Sequence, residues 1–174
     1  MRSGILVCGL NGSGKSTLGK ELARVLGYTF IDIEDCYFPK NDDNYLYAAP
    51  RSGDEAEKIL WEKISSCDRF VLASVKGNFD EKITSLFEAI VRLNVTKEIR
   101  MNRIKERSFR KFGDRMLPGG DLHEIEESFF AMVEARTEQY VDDWLSGMKC
   151  PVIEVDGTKY VKENVKNIAE ILCR

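Results

Sequence analysis

The sequence predicts an α/β fold, a five-stranded parallel sheet with helices on both faces and a small arginine-bearing lid. Three observations point to it. Short apolar runs alternate along the chain with segments of helical period, the pattern of a parallel sheet covered by its crossover helices. The first run breaks into the glycine-rich stretch Gly9-Leu10-Asn11-Gly12-Ser13-Gly14, and a helical pattern follows directly. Late in the chain, a basic helical segment leads into a break containing Gly113, Pro118, Gly119 and Gly120.

Taken in order, Ile5-Leu6-Val7-Cys8 reads as a buried strand. Leu18, Leu22, Val25 and Leu26 recur at helical spacing and stop at Gly27, a residue suited to close a helix. Residues 28–33 form a second strand, followed by a polar loop of Asp, Asn and Pro that runs to about Gly53. Ser52 and Glu55 have capping-box spacing, ahead of a helix whose face is Ala56, Ile59, Leu60 and Ile64. Residues 70–75 are a third strand, Asn78 caps a short helix with Ile83, Leu86 and Phe87, and residues 89–95 are a fourth strand. Thr96 caps the basic helix. Leu122, Ile125, Phe129, Met132, Val133, Tyr140 and Trp144 trace one face of a single long helix. Residues 151–155 form the fifth strand, and Val161, Val165, Ile168 and Leu172 the last amphipathic helix. In such a sheet, ligands bind at the carboxyl ends of the strands.

A chain of 174 residues has the size of one domain, taken here as residues 1–174. Its 26 basic and 29 acidic residues leave a net charge of −3, so neither nucleic acid nor an anionic membrane is an expected partner. Cys8, Cys36, Cys67, Cys150 and Cys173 contain no C-x-x-C pair and suit reduced thiols, hence a cytoplasmic location. No apolar run approaches the roughly 18 residues that a membrane span needs. A soluble monomer or homodimer is expected.

Residues Gly9 to Thr17 contain the full pattern G-x-x-x-x-G-K-[ST] between a predicted strand and a predicted helix, the context that identifies a P-loop. Without side chains at Gly12 and Gly14 the backbone can curl so that its N–H groups and the helix N-terminus point at a phosphate. Asn11, Ser13 and Thr17 belong to the same cradle. Lys15 is placed to bridge the β- and γ-phosphates, and the Ser16 hydroxyl to ligate Mg²⁺. No N-K-x-D element for guanine is present, so ATP is the expected nucleotide. Residues 70–75 end without an Asp-Glu pair, unlike motor-type ATPases that polarise water with such a glutamate.

Three further motifs accompany the loop. Phe30-Ile31-Asp32-Ile33-Glu34-Asp35 is similar to an acidic F-x-D-x-[DE] segment. Arg100, Arg103, Arg107 and Arg110 fall on one broad helical face that leads into a flexible stretch carrying Arg115. Arg136 to Tyr140 has the form R-x-x-x-Y. With these motifs the chain resembles, over nearly its whole length, the nucleoside-monophosphate kinase and shikimate kinase superfamily of P-loop small-molecule kinases. The resemblance implies that an acid at the end of the second strand holds Mg²⁺ through water or touches the acceptor. It further implies an acceptor region at about 34–68, a lid at about 108–122 whose arginines meet the nucleotide, and an Arg136 that reaches the acceptor. Gly157 and Thr158, after the last strand, match the adenine-side loop. There are departures too. Val75-Lys76-Gly77-Asn78 stands where shikimate kinases carry three glycines, which speaks against shikimate itself, and Asp35 to Lys40 resembles the D-x-[FY]-[FY] segment of uridine and nicotinamide-riboside kinases, where the aspartate is the base.

The chemistry assigns roles. Transfer of a γ-phosphoryl group asks for positioning and charge neutralisation, which Arg103, Arg107, Arg110 and Arg115 supply from a closing lid. Asp32 is the first candidate for the Mg²⁺ sphere and Asp35 for a base, with Glu34 able to replace either. A hydroxyl acceptor needs that base; a phosphate acceptor needs arginines such as Arg136 instead, and both alternatives remain open. Tyr37, Phe38 and Tyr45 are candidates to stack on a flat acceptor. Asp42 and Asp43 read as a solvated loop tip and His123 as a surface residue. The expectation is an ATP- and Mg²⁺-dependent kinase acting on a nucleoside, nucleotide or similar small polar metabolite. Its alternatives are an ATP-binding or ATP-hydrolysing regulatory protein without an acceptor, a shikimate- or gluconate-type kinase, and a kinase of nucleic-acid ends.

Overall fold

The computed structural model describes residues 2–39, 45, 47 and 49–173. Its central strand, β1 (Ser3–Cys8), buries Ile5, Leu6, Val7 and Cys8 completely, because alternate residues face two different helical layers. Helix α1 (Lys15–Leu26) follows, and Gly27, at φ 69°, ends it by donating its N–H to the Ala23 carbonyl. The chain continues through β2 (Thr29–Asp32), α2 (Ile33–Tyr37), α3 (Gly53–Ser65), β3 (Arg69–Ala73), α4 (Glu81–Thr84), β4 (Phe87–Asn94) and α5 (Lys97–Phe112). After a 3-10 turn (Gly113–Met116) come α6 (His123–Ala135), α7 (Gln139–Leu145), β5 (Val152–Asp156) and α8 (Val161–Leu172).

The five strands are parallel, in the order β2-β3-β1-β4-β5. On one face Leu6, Leu72 and Ile90 pack with Leu60 and Ile64 of α3 and Val141 of α7. On the other, Ile5, Val7, Val71 and Val91 pack with Leu18 and Leu22 of α1 and Val165 and Ile168 of α8. A smaller cluster of Met101, Ile104, Phe130 and Val133 joins α5 to α6 beyond the sheet. Because β1 is flanked by β3 and β4, the crossovers diverge beside its carboxyl end, and the crevice opens there. No helix among the described residues is long and apolar enough to cross a membrane.

Several local expectations are corrected. The stretch after β2 is not a loop throughout: Asp32 accepts the Glu34 N–H at 3.0 Å and caps α2, whose acidic first turn suits a helix N-terminus. Lys40, Asp42 and Asp43 lie outside the described residues. The cap of α4 is Asp80 rather than Asn78, through its carboxylate on the Lys82 N–H. Thr96 caps α5 by position without a side-chain hydrogen bond. The single long helix is two, broken at Arg136, which leaves helical geometry at φ −72° and ψ 125°. No glycine or proline marks that break; its trace is that Arg136 and Thr137 stand at the two positions where the helical stripe from Val133 to Tyr140 would need an apolar residue. The capping box of Ser52 and Glu55 is present in full.

The packing of α3 is open to a direct check. Leu60 is fully buried between the sheet and its helix, so Leu60→Ala should lower the unfolding free energy by about 2–5 kcal/mol, read as an earlier urea midpoint. A midpoint unchanged from wild type would contradict this core.

Candidate active site

The loop after β1 is shaped from beneath. Arg100 of α5 is 2% exposed and donates from Nε to the Val95 carbonyl at 3.2 Å and from Nη1 to the Asn11 carbonyl at 3.3 Å. Arg103, one turn on, donates to the carbonyls of Gly12 (3.4 Å), Ser13 (3.3 Å) and Gly157 (3.2 Å). The loop therefore spends its carbonyls on α5. Among the described residues the amides of Gly12 and Gly14 have no acceptor, and those of Lys15, Ser16 and Thr17, which open α1, have no intrahelical one. Gly12 takes φ 80°, and a Cβ there would lie 2.5 Å from the Arg100 carbonyl oxygen, so the site tolerates no side chain.

Lys15 opens α1 with its ammonium donating to the Leu10 carbonyl at 3.2 Å. Burial pushes it down to about 8, while Glu34 and then Asp32 pull it back up. A half-buried cation held this way favours an anion that would join it.

Those groups face a cleft of about 610 Å³. Asn11, Gly12, Gly14, Lys15, Ser16 and Thr17 line its floor, with Asp32 and Glu34 at the end of β2. Lys76, from the segment after β3, and Arg103 and Arg107 of α5 add positive charge. Arg136 and Tyr140 enter from the α6–α7 break, where Arg136 donates to the Asn11 Oδ1 at 2.8 Å. Tyr37, Phe38, Tyr45 and Tyr47 form an aromatic wall in which Phe38–Tyr47 and Tyr45–Tyr47 meet edge to face at 5.0 and 5.6 Å. Tyr45 anchors the wall by donating at 2.8 Å to Glu126, a carboxylate 1% exposed on α6.

Other expected site residues stand elsewhere. Asp35 is exposed on α2 and does not line the cleft, whereas Glu34 does, because successive helical positions point about 100° apart. Arg110 is exposed beyond the cleft, and Arg115 pairs with Asp121 at 2.7 Å rather than entering it. The stretch around Arg115, expected as a flexible lid, is folded by the 3-10 turn and by the Leu122 N–H on the Arg115 carbonyl at 2.9 Å. Ser13 is fully buried, its hydroxyl without a partner among the described residues, so its backbone is what shapes the loop. Gly9 serves packing: a Cβ would meet the Leu93 carbonyl oxygen at 2.7 Å. Gly157 and Thr158 lie outside the cleft lining; Arg103 ties Gly157 to the loop, and Thr158 bonds Asp156 at 2.6 Å.

The model of the AAA domain family matches residues 5–115, which span β1, the loop, the β2 carboxylates and the arginines of α5. The chain belongs to the AAA domain family. A curated relative, "Uncharacterized protein YqaC" of Bacillus subtilis, is 25% identical over 99% of this AAA-domain chain and 98% of its own. A shikimate kinase of Chlamydia pneumoniae is 38% identical over 72 residues, 41% of this chain and 39% of the relative. Among solved structures, a shikimate kinase of Bacteroides thetaiotaomicron aligns with TM-score 0.62 at 17% identity over 99% of each chain. A gluconokinase of Sinorhizobium meliloti aligns with TM-score 0.56 at 19% identity, over 99% of this chain and 97% of its own. The AAA-domain chain thus has the P-loop fold of small-molecule kinases.

Sequence reasoning missed Lys76 and Tyr47 as cleft residues. Lys76 was legible in principle, since it stands just past the carboxyl end of β3, where ligands of such sheets sit. Tyr47 carried no motif. In this AAA-domain chain the loop geometry makes a defined demand: holding alanine at the positive φ of Gly12 costs about 1–2 kcal/mol before any clash. Gly12→Ala should accordingly weaken Mg·ADP binding by about tenfold or more in a calorimetric titration. Unaltered affinity would mean that the loop does not hold phosphate in this conformation.

Proposed function

We propose that this chain transfers the γ-phosphoryl group of ATP to a small polar acceptor, a nucleoside, nucleotide or similar metabolite, held in the same cleft. The observation that carries the proposal is the convergence of Lys15, Asp32, Glu34, Arg107 and Arg136 on one cavity that extends past the loop to an aromatic wall. A protein that only hydrolysed ATP would have no use for that second half. The segment Ala73-Ser74-Val75 at the end of β3 also carries no Asp-Glu pair to polarise water. The likeness to a shikimate kinase and a gluconokinase supports the same class of reaction and keeps hydroxy acids among the acceptors to be tried.

The donor set suits ATP with Mg²⁺. The amides at Gly12 and Gly14, without acceptors among the described residues, and the under-neutralised Lys15 ammonium match a polyphosphate. Ser16 and Asp32 offer oxygen ligands at its edge, and Mg²⁺ bound mainly through phosphates and water needs no more than one or two. When bound, the ion would neutralise phosphate charge.

The residues then divide the work. Arg107 and Lys15 line the cleft where they balance the negative charge gathered on the transferring group. Glu34 accepts the proton of an acceptor hydroxyl as its oxygen forms the new bond to γ-phosphorus. The bond from that phosphorus to the bridging oxygen breaks, and ADP leaves with the electron pair. Asp32 has one oxygen engaged by the Glu34 N–H and is the residue proposed to face the metal; Asp35 is relieved of the base role.

Two measurements test this. A screen of nucleosides, nucleoside monophosphates, shikimate and sugar acids should find an acceptor that accelerates ADP release and is itself phosphorylated; ADP release indifferent to every acceptor would leave only hydrolysis. With that acceptor, Lys15→Ala should lose about 10²-fold or more in turnover. Asp32→Asn and Glu34→Gln should each lose about 10²–10⁴-fold, while Asp35→Asn stays within about threefold. A crippled Asp35→Asn beside an active Glu34→Gln would return the base role to Asp35.

A further inference from the structure

Asn11 is held at both ends. Its backbone carbonyl accepts from the Arg100 Nη1 at 3.3 Å, and its side-chain Oδ1 accepts from the Arg136 Nη1 at 2.8 Å. One guanidinium comes from α5 and the other from the α6–α7 break. Glu138, two residues past Arg136, joins the two. Its Oε1 lies 3.9 Å from the Arg100 guanidinium and its Oε2 3.6 Å from that of Arg92, and among the described residues Arg100 meets no other carboxylate. The Glu138 carbonyl meanwhile accepts the N–H groups of Val141 and Asp142 at 2.9 and 3.0 Å, which starts α7.

These contacts close on themselves. Asn11 accepts from Arg100, Arg100 faces Glu138, and Glu138 is joined through Thr137 to Arg136, which returns to Asn11. A shift of the loop cannot leave the break where it was without parting one of them. The break is the member able to respond, because Arg136 stands between two helices at φ −72° and ψ 125°, whereas Arg100 is buried inside α5. The residue type at position 11 fits the same task. An amide oxygen accepts from a guanidinium without adding charge, while a carboxylate on this part of the cleft floor would repel phosphate.

We propose that Asn11 is a positioning residue that couples phosphate on the loop to the α6–α7 break. Phosphate held by the loop amides fixes Asn11; Asn11 holds Arg136, and Glu138, tied to Arg100 beneath the loop, holds the start of α7. Ordering of the break thus accompanies nucleotide binding, ahead of any acceptor. The coupling rests on the nucleotide-binding half of the reading above and requires no particular acceptor.

Amide hydrogen exchange on the whole protein, with and without saturating Mg·ADP, tests this. In wild type the nucleotide should slow the amides of Lys15, Ser16 and Thr17, which it touches. It should also slow those of Val141 and Asp142 by about fivefold or more, the lower end of ordinary coupling between sites. Asn11→Leu, close in shape but without the acceptor, and Glu138→Gln should each lose most of the slowing at α7 and keep that at Lys15 to Thr17. The double variant should lose no more than the worse of the two, as members of one circuit do. Should Asn11→Leu fail to fold, Asn11→Ala removes the same acceptor. Asn11→Asp retains an acceptor for Arg136, so at saturation Val141 and Asp142 should stay slow although Mg·ADP binds about tenfold more weakly. Three outcomes overturn the coupling alone: α7 slowed as much in Asn11→Leu as in wild type, α7 unaffected in wild type while Lys15 to Thr17 are slowed, or fast α7 exchange in saturated Asn11→Asp. No slowing at Lys15 to Thr17 in wild type would sink the nucleotide site, and the coupling with it.

Discussion

A loop that offers its amides to phosphate must satisfy its carbonyls somewhere else, and in this chain two guanidiniums from α5 take them. Arg100 and Arg103 reach the carbonyls of Asn11, Gly12 and Ser13 from below, and Arg103 extends to Gly157 at the end of β5. The close approach this requires puts the Arg100 carbonyl oxygen where a side chain at Gly12 would stand. The glycine of the motif is therefore demanded twice, by the backbone conformation and by the neighbouring helix. The buried Arg100 charge needs an anionic neighbour in turn, and Glu138 provides it from the start of α7 while also meeting Arg92. Arg92 carries the frame on to Asp142 and to Glu154 of β5. The phosphate end of the cleft and the α6–α7 break are thus parts of one electrostatic assembly.

That assembly explains the placement of Arg136. A helix running straight through residue 136 would carry the side chain along its own face, as the apolar spacing from Val133 to Tyr140 suggested. The break frees the backbone there, Glu138 is drawn toward Arg92 and Arg100, and Arg136 turns to the Asn11 side chain with Tyr140 beside it. The loop after β1 and the α6–α7 break meet through that hydrogen bond.

What the sequence made legible follows from range. The P-loop, the β-strands and the capping box of Ser52 are local patterns in which the signal and the structure involve the same few residues, and they stand as expected. That Glu34 rather than Asp35 lines the cleft follows from the phase of a five-residue helix that Asp32 starts, where composition alone suggested a loop. Arg115 was expected over the nucleotide because its charge was counted without Asp121, six residues on, which pairs with it. Long-range pairings such as Tyr45 with Glu126, 81 residues apart, leave no trace in a single sequence.

The arginines of α5 show how a pattern can be right in chemistry and incomplete in meaning. At helical spacing Arg100, Arg103 and Arg107 climb one face, and each successive one is less buried because the helix leaves the loop as it rises. The first is structural, holding carbonyls and meeting Glu138; the second bridges the loop to β5 and lines the cleft; the third faces the cleft without an ion-pair partner among the described residues. A solvated basic face would leave all of them exposed to similar degrees and paired by chance. A graded burial instead supplies charge in depth: fixed beneath the loop to shape it, and at Arg107 turned to the cleft above it with no ion-pair partner among the described residues.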